Sequence, residues 1–285
     1  MVMKSNAVVM KRLLRFYICC IFVCGSLWTI FPLVNRAMGV EVNFTGYFPF
    51  DTNNSPEFEI AVAYMNIFIT FQAYGNVTMD CTIVAFYAQA KVQLQILRYN
   101  LEHLTDFDKT EEKTNNHNCA HKDENEEFRR QLHKKFVQCV KRHQTIKWFV
   151  VEIEDIFAEA LLFQFFVTAW VICMTVYKIV GLSLFSVEFV SMAMYLCCML
   201  AQFFIYCYYG TQVKYESEYL NQSSYCGPWL LLSPGFRRKM LIMMENCNRP
   251  ITPRTAYIVP ISLETYIAVL RASYTLFTFL DRKHE

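Results

Sequence analysis

The sequence predicts an all-α fold, a polytopic membrane helix bundle, and three observations carry that expectation. Of 285 residues, 54% are hydrophobic and only 18% charged, too apolar for an ordinary soluble domain of this length. The apolar residues gather in five blocks, each close to the roughly 20 residues that cross a bilayer of roughly 30 Å. With 8 Gly and 8 Pro there is little to break those blocks into short elements. A net charge of +2 gives no field that would attract nucleic acid.

The first block, Phe16 to Val34, is nineteen residues without a charge. A signal peptide is the competing reading, but this core exceeds the roughly 7 to 15 apolar residues of such a segment, and Ala37-Met38-Gly39 is a poor cleavage site. The second block runs from Ile60 to Ala90, interrupted by Asp80, and Val92, Ile96, Tyr99 and His103 continue it as an amphipathic helix. A helix over 58–104 reaches about 70 Å at about 1.5 Å per residue, so it must project beyond the membrane. The charge-dense stretch 105–131 then reads as a mobile linker. Phe136, Val140, Ile146 and Phe149 lead into the third block, Ala160 to Val180. The fourth is Phe189 to Gly210 and the last Tyr257 to Leu280. Three regions follow: 1–104 with two spans and an outer loop, the linker 105–131, and 132–285 with cytoplasmic anchor helices and three spans.

Basic residues set the orientation. Lys4, Lys11, Arg12 and Arg15 precede the first span without an acid, whereas 35–57 has Arg36 against Glu41, Asp51 and Glu57. The segment 211–255 has six basic residues against three acids. Alternation places the N-terminus in the cytoplasm and the C-terminus outside. Asn43-Phe-Thr45 falls in the predicted outer loop and is a glycosylation candidate, whereas Asn76 sits in a span and Asn221 on the inner side.

All 12 cysteines lie in spans or cytoplasmic segments, so no disulfide framework is expected. His117, Cys119, His121, His133, Cys139 and His143 invite a zinc reading, but their spacing fits no standard site, and solvated polar residues are the better expectation. Gly-rich phosphate loops, H-E-x-x-H and G-x-S-x-G are absent, so no enzyme and no cofactor is expected.

The last span holds the most polar pattern. At about 100° per residue, Ala268, Arg271, Thr275, Thr278 and Arg282 all fall within about 40° of Glu264, with Leu276 and Leu280 on the far side. One reading is a buried Glu264–Arg271 ion pair joining helices. Another is the wall of an aqueous ion path, with Thr275 and Thr278 as lining and Phe279 as constriction. A transporter's substrate path would show the same stripe, although the internal repeats it predicts are not found. The outer halves of the spans add aromatic and sulfur surface: Trp28, Phe31, Tyr64, Phe68, Phe71, Trp170, Tyr177, Met192 and Tyr195, with Gln72 as a polar handle. Such surface suits a small apolar ligand, and equally suits lipid or helix packing.

Several stretches together resemble the insect odorant receptors. The end of the chain, Pro250 and then Ile258-Val-Pro-Ile-Ser-Leu-Glu-Thr-Tyr through Leu280, looks like the family's last span. Gln202-Phe-Phe-Ile-Tyr-Cys-Tyr-Tyr-Gly210, Tyr225-Cys-Gly-Pro-Trp229 and Arg237-Arg-Lys239 resemble its sixth span and third inner loop. Tyr47-Phe-Pro-Phe-Asp51 with Ser55-Pro56, and His143 and Ile146 ahead of Phe157, Gln164 and Cys173, also fit.

The resemblance implies seven spans in the family, with this chain beginning just before the third, as a truncated form or partial gene product. It further implies a subunit of an odorant-gated nonselective cation channel, a hetero-tetramer with the odorant co-receptor, in the plasma membrane of olfactory sensory dendrites. A small volatile ligand would meet Trp28, Phe31, Tyr64, Phe68, Phe71, Gln72, Tyr177, Met192 and Tyr195, and the missing second span would remove part of that wall. Glu264, Arg271, Thr275, Thr278 and Phe279 would be pore or gate residues, Phe279 departing from the smaller aliphatic residue expected at the constriction. A gustatory-type receptor channel and a non-conducting assembly subunit are the alternatives.

Overall fold

The computed structural model describes residues 2–39, 48–49, 55–104, 121–180, 187–226, 229–255 and 258–282. Among them, six α-helices follow in chain order: α1 (Val2–Ala37), α2 (Glu57–Glu102), α3 (His121–Val180), α4 (Val187–Cys226), α5 (Pro234–Cys247) and α6 (Leu263–Arg282). One 3-10 turn, Trp229–Leu231, precedes α5. A two-stranded antiparallel hairpin of β1 (Arg254–Thr255) and β2 (Val259–Pro260) precedes α6. The architecture is the expected helix bundle. Two helical stretches, Glu126–Ile179 and Glu188–Cys226, are long and apolar enough on bulk hydropathy to cross a membrane. Asn66, Gln72, Asn76 and Asp80 dilute α2, and Glu264 and Arg271 dilute α6, so those spans are read from pattern rather than bulk hydropathy.

The chain divides into two compact units, the first made of 1–85, 162–207 and 263–285, the second of 86–161 and 208–262. In the first unit α1 ends at a glycine: Gly39 adopts φ +76°, and Met38 N–H donates to the Val34 carbonyl at 3.0 Å. Only glycine takes this left-handed conformation cheaply, so the helix stops there. Arg36, in the last turn, complements the helix dipole, lies 3.5 Å from Glu59 and stacks its guanidinium 4.2 Å from the Phe58 ring centre. The end of α1 is thereby tied to the start of α2. Deeper in the unit, Phe165 meets Phe203 at 5.0 Å edge to face, and Phe203 meets Tyr266 of α6 at 5.5 Å.

The second unit is packed by a helical stripe on α3. Leu132, Phe136, Cys139, His143, Ile146, Val150 and Ile153 recur at three- and four-residue steps, and all are buried. Leu94, Leu97 and Leu101 of α2, Val213 and Leu220 of α4, and Phe236, Met240, Met243 and Met244 of α5 fill the same core. Each such side chain contributes about 1.5–3 kcal/mol when fully buried. Polar ties fix the register: Gln95 and Arg98 donate to Glu216, Arg142 donates to Gln93, and the Arg254 N–H donates to Glu154 Oε1 at 3.0 Å. The hairpin pairs Arg254 with Pro260 and Thr255 with Val259, and Ile261 N–H returns to the Pro253 carbonyl at 2.9 Å.

Two boundaries differ from the sequence expectation. The linker expected over 105–131 gives way to helix at His121. Residues 126–131 are good helix formers whose acids precede bases or amides by four positions, and Gln131 donates to Glu127 at 3.2 Å, so charge density here supports a solvated helix. The last helix begins at Leu263 rather than Tyr257, because Val259 and Pro260 are committed to the hairpin and proline supplies no helical N–H. Ser262 immediately precedes the new start, a residue type favoured there, and Glu264 lies in the first turn, where a negative charge suits the dipole.

Candidate functional site

The last helix has a covered and an uncovered side. Around α6, Ser273 is buried and donates to the Ala169 carbonyl at 3.5 Å, while Phe203 and Phe204 hold Tyr266. That side faces the rest of the first unit. Glu264, Ala268, Arg271, Ala272, Thr275, Leu276 and Phe279 are exposed, and all but Glu264 line an open depression of about 600 Å³. Five of the candidate pore residues thus divide as four on the uncovered side and one, Thr278, half-buried at its margin. Among the described residues Glu264 and Arg271 form no ion pair, so the helix-gluing bridge is not made within this chain. Thr275 donates to the Arg271 carbonyl at 2.9 Å, and Thr278 to the Thr275 carbonyl at 2.8 Å. These hydroxyls donate to their own helix and keep oxygen lone pairs that can still accept.

The candidate ligand contacts are placed as follows. Tyr64, Phe68 and Phe71 recur at four- and three-residue steps on one face of α2 and are exposed, Phe71 by 81%, with Gln72 exposed beside them. Phe48 packs edge-on against Tyr64 at 6.3 Å. Tyr177 on α3 is partly exposed, and Met192 and Tyr195 on α4 are half-buried. The side chains of Trp28 and Phe31, and all of Asn43, lie outside the described residues.

Sequence reasoning overlooked a polar knot in the same unit. Asp80 of α2, 6% exposed, accepts hydrogen bonds from Gln202 and Tyr206, one turn apart on α4. A lone acid in an apolar span was signal enough to demand partners, since an unpaired buried carboxylate is strongly disfavoured. Which residues answered it was not legible, because they lie more than a hundred positions downstream.

Long apolar helices, with a charged and hydroxylated face left open on the last of them, describe a helical bundle of the membrane-protein kind. The 7tm Odorant receptor family model matches residues 2–274, and the chain belongs to that family. It is 24% identical over 267 residues to Odorant receptor 94a of Drosophila melanogaster, covering 93% of this chain and 64% of that receptor. It is 20% identical over 265 residues to Odorant receptor 10 of Aedes albopictus, with 91% and 64% covered. The chain therefore spans just under two thirds of the length of these relatives. Its fold is similar to the olfactory receptor OR5 from Machilis hrabei, solved in complex with eugenol, with a TM-score of 0.82, 17% identity, and 99% of this chain and 68% of that one covered.

Proposed function

We propose that this chain acts as the odorant-sensing subunit of a ligand-gated, nonselective cation channel in the plasma membrane of olfactory neurons, assembled with the odorant co-receptor. The observation that carries this reading is the uncovered face of α6. Arg271 sits mid-helix with no ion-pair partner among the described residues, and charge inside a membrane needs a water-filled cavity or a neighbouring subunit. A ring of such faces around an axis meets both needs, with Thr275 and Thr278 wetting the path and Phe279 narrowing it.

The ligand is a small volatile apolar molecule. Its contacts are Tyr64, Phe68, Phe71 and Gln72 of α2, with Trp28 and Phe31 of α1, Tyr177 of α3, and Met192 and Tyr195 of α4. It opens the pore by binding the open state more tightly; a shift from 1:99 to 99:1 requires about 10⁴-fold preference. No bond is made or broken in the ligand, so the protein acts as a receptor and not as an enzyme.

Co-expression with the co-receptor and an odour panel under voltage clamp tests this reading. Ligand-evoked cation current that changes in selectivity with Thr275→Val is expected. Surface-labelled protein that pairs with the co-receptor and gives no evoked current overturns it in favour of a non-conducting assembly subunit.

A further inference from the structure

Two hydroxyls are buried in the second unit without a hydrogen-bond partner among the described residues, Tyr87 Oη on α2 and Thr255 Oγ1 on β1. Both side chains are fully covered. Buried polar groups in folded proteins are nearly always hydrogen-bonded, so a pair of orphans in one core needs a common cause.

Glu154 of α3 connects them. Phe86 meets Phe149 at 6.1 Å and Phe157 at 6.4 Å, which sets this turn of α2 against the stretch of α3 that carries Glu154. The Tyr87 phenol, next along α2, lies within the field of the Glu154 carboxylate. On the hairpin side, the Arg254 N–H donates to Glu154 Oε1 at 3.0 Å, and Thr255 follows directly after that anchor. The strand alternates, Arg254 outward and Thr255 inward, so the threonine hydroxyl turns into the same core. Two helices and the hairpin each bring one oxygen-bearing side chain here.

Glu154 has capacity to spare. Burial pushes its carboxyl up, and the Arg254 N–H, which pulls it back, is the one hydrogen-bond donor it meets among the described residues. A carboxylate has about four acceptor sites on two oxygens, which leaves Oε2 open to a further donor. The remaining orphan, His143 Nε2, sits eleven residues earlier on α3, about 16 Å along the helix, and is too far away to share that donor.

We propose that Tyr87, Glu154 and Thr255 hold one internal water molecule. Water suits the set because it accepts from the two hydroxyls and donates to Glu154 Oε2, about three bonds in all, the usual number for a buried water. A hard cation suits it less, since such ions take about six or more oxygens, and the described residues hold no cluster of metal-ligating side chains. The water joins α2, α3 and the hairpin at a site that none of them forms alone.

The test uses the whole chain, purified in detergent. Radiolysis in oxygen-18 water, followed by peptide mass spectrometry, marks side chains that touch water. Tyr87 has no exposed surface, so oxygen-18 on its ring is expected only where a water is held beside it. Thr255→Val should remove most of that label. In thermal melts Tyr87→Phe and Thr255→Val should each lower the midpoint by about 2–4 °C, the scale of one hydrogen bond in a chain of this size. The double variant should lose less than the two added together, because one water serves both. An unlabelled Tyr87, a label undiminished by Thr255→Val, or fully additive losses overturn the proposal. So does a Tyr87→Phe chain that melts at or above the wild type, which is what deleting a hydroxyl with no partner at all would give.

Discussion

The carbonyl oxygen of Ile261 closes directly on the backbone of Gly210, inside the space that a Cβ there would occupy. Backbone therefore stands where any side chain on α4 would have to go, and the residues just before α6 nest against the helix at its one glycine. Gly210→Ala must push the two backbones apart, a cost of about 1–3 kcal/mol by analogy with overpacked cores. A fall in detergent melting temperature, with reduced surface expression, is the expected outcome. A variant that melts with the wild type would show that the approach is not as close as stated.

Glu216 is held by two donors, Gln95 and Arg98, and is nearly buried. Glu216→Ala takes that acceptor from Gln95 and leaves Arg98 only the looser contact to Glu102 at 3.9 Å. Because Arg98 keeps a third of its side chain in water, the loss is about 1–2 kcal/mol rather than the larger value for a dry ion pair. Restoring stability by a second change, Arg98→Leu, would confirm in a double-mutant cycle that the stranded charge is the cause.

His143 is buried, its Nε2 has no hydrogen-bond partner among the described residues, and burial with the nearby Lys147 holds its pKa below the usual histidine value. The unfolded chain then takes up a proton more readily than the folded one. Above about pH 6.5 both forms are neutral and nothing is lost; as pH falls through that value, stability declines until the depressed folded pKa is reached. Glu154 acts in the opposite sense, since burial, the largest influence on it, raises its pKa. Comparing melting temperatures at pH 7.5 and 5.5, His143→Gln should show a smaller drop than the wild type.

Asp80→Ala leaves Gln202 and Tyr206 without their acceptor inside the first unit. Each unsatisfied group costs about 1–3 kcal/mol, so the variant should be retained inside the cell in surface-labelling assays, with Asp80→Asn partly rescued because its amide oxygen still accepts.

The pattern of legibility follows from the range of the forces involved. The second helix was bounded to within two residues, because periodicity and charge act within a few turns; the α6 stripe was drawn too narrowly, since Ile267 and Leu276 are exposed beside Arg271 and Thr275. The continuation of α4 through Cys226 rests on a buried stripe of Val213, Ser217, Leu220 and Ser224, half of it polar, which hydropathy passes over. Ser217 is inside because the Ile251 N–H donates to its hydroxyl at 3.0 Å, a partner 34 positions away. The Asp80 knot was invisible for the same reason: its members meet only after the helices pack.

The hairpin is clamped at both ends inside the second unit. The Arg254 N–H is held by Glu154, a hundred positions upstream on α3, and the Ile261 N–H by the Pro253 carbonyl. Glu154 is thus a stitch as much as a buried acid: it fastens two strands of two residues each, too short to stand alone, to a helix that can.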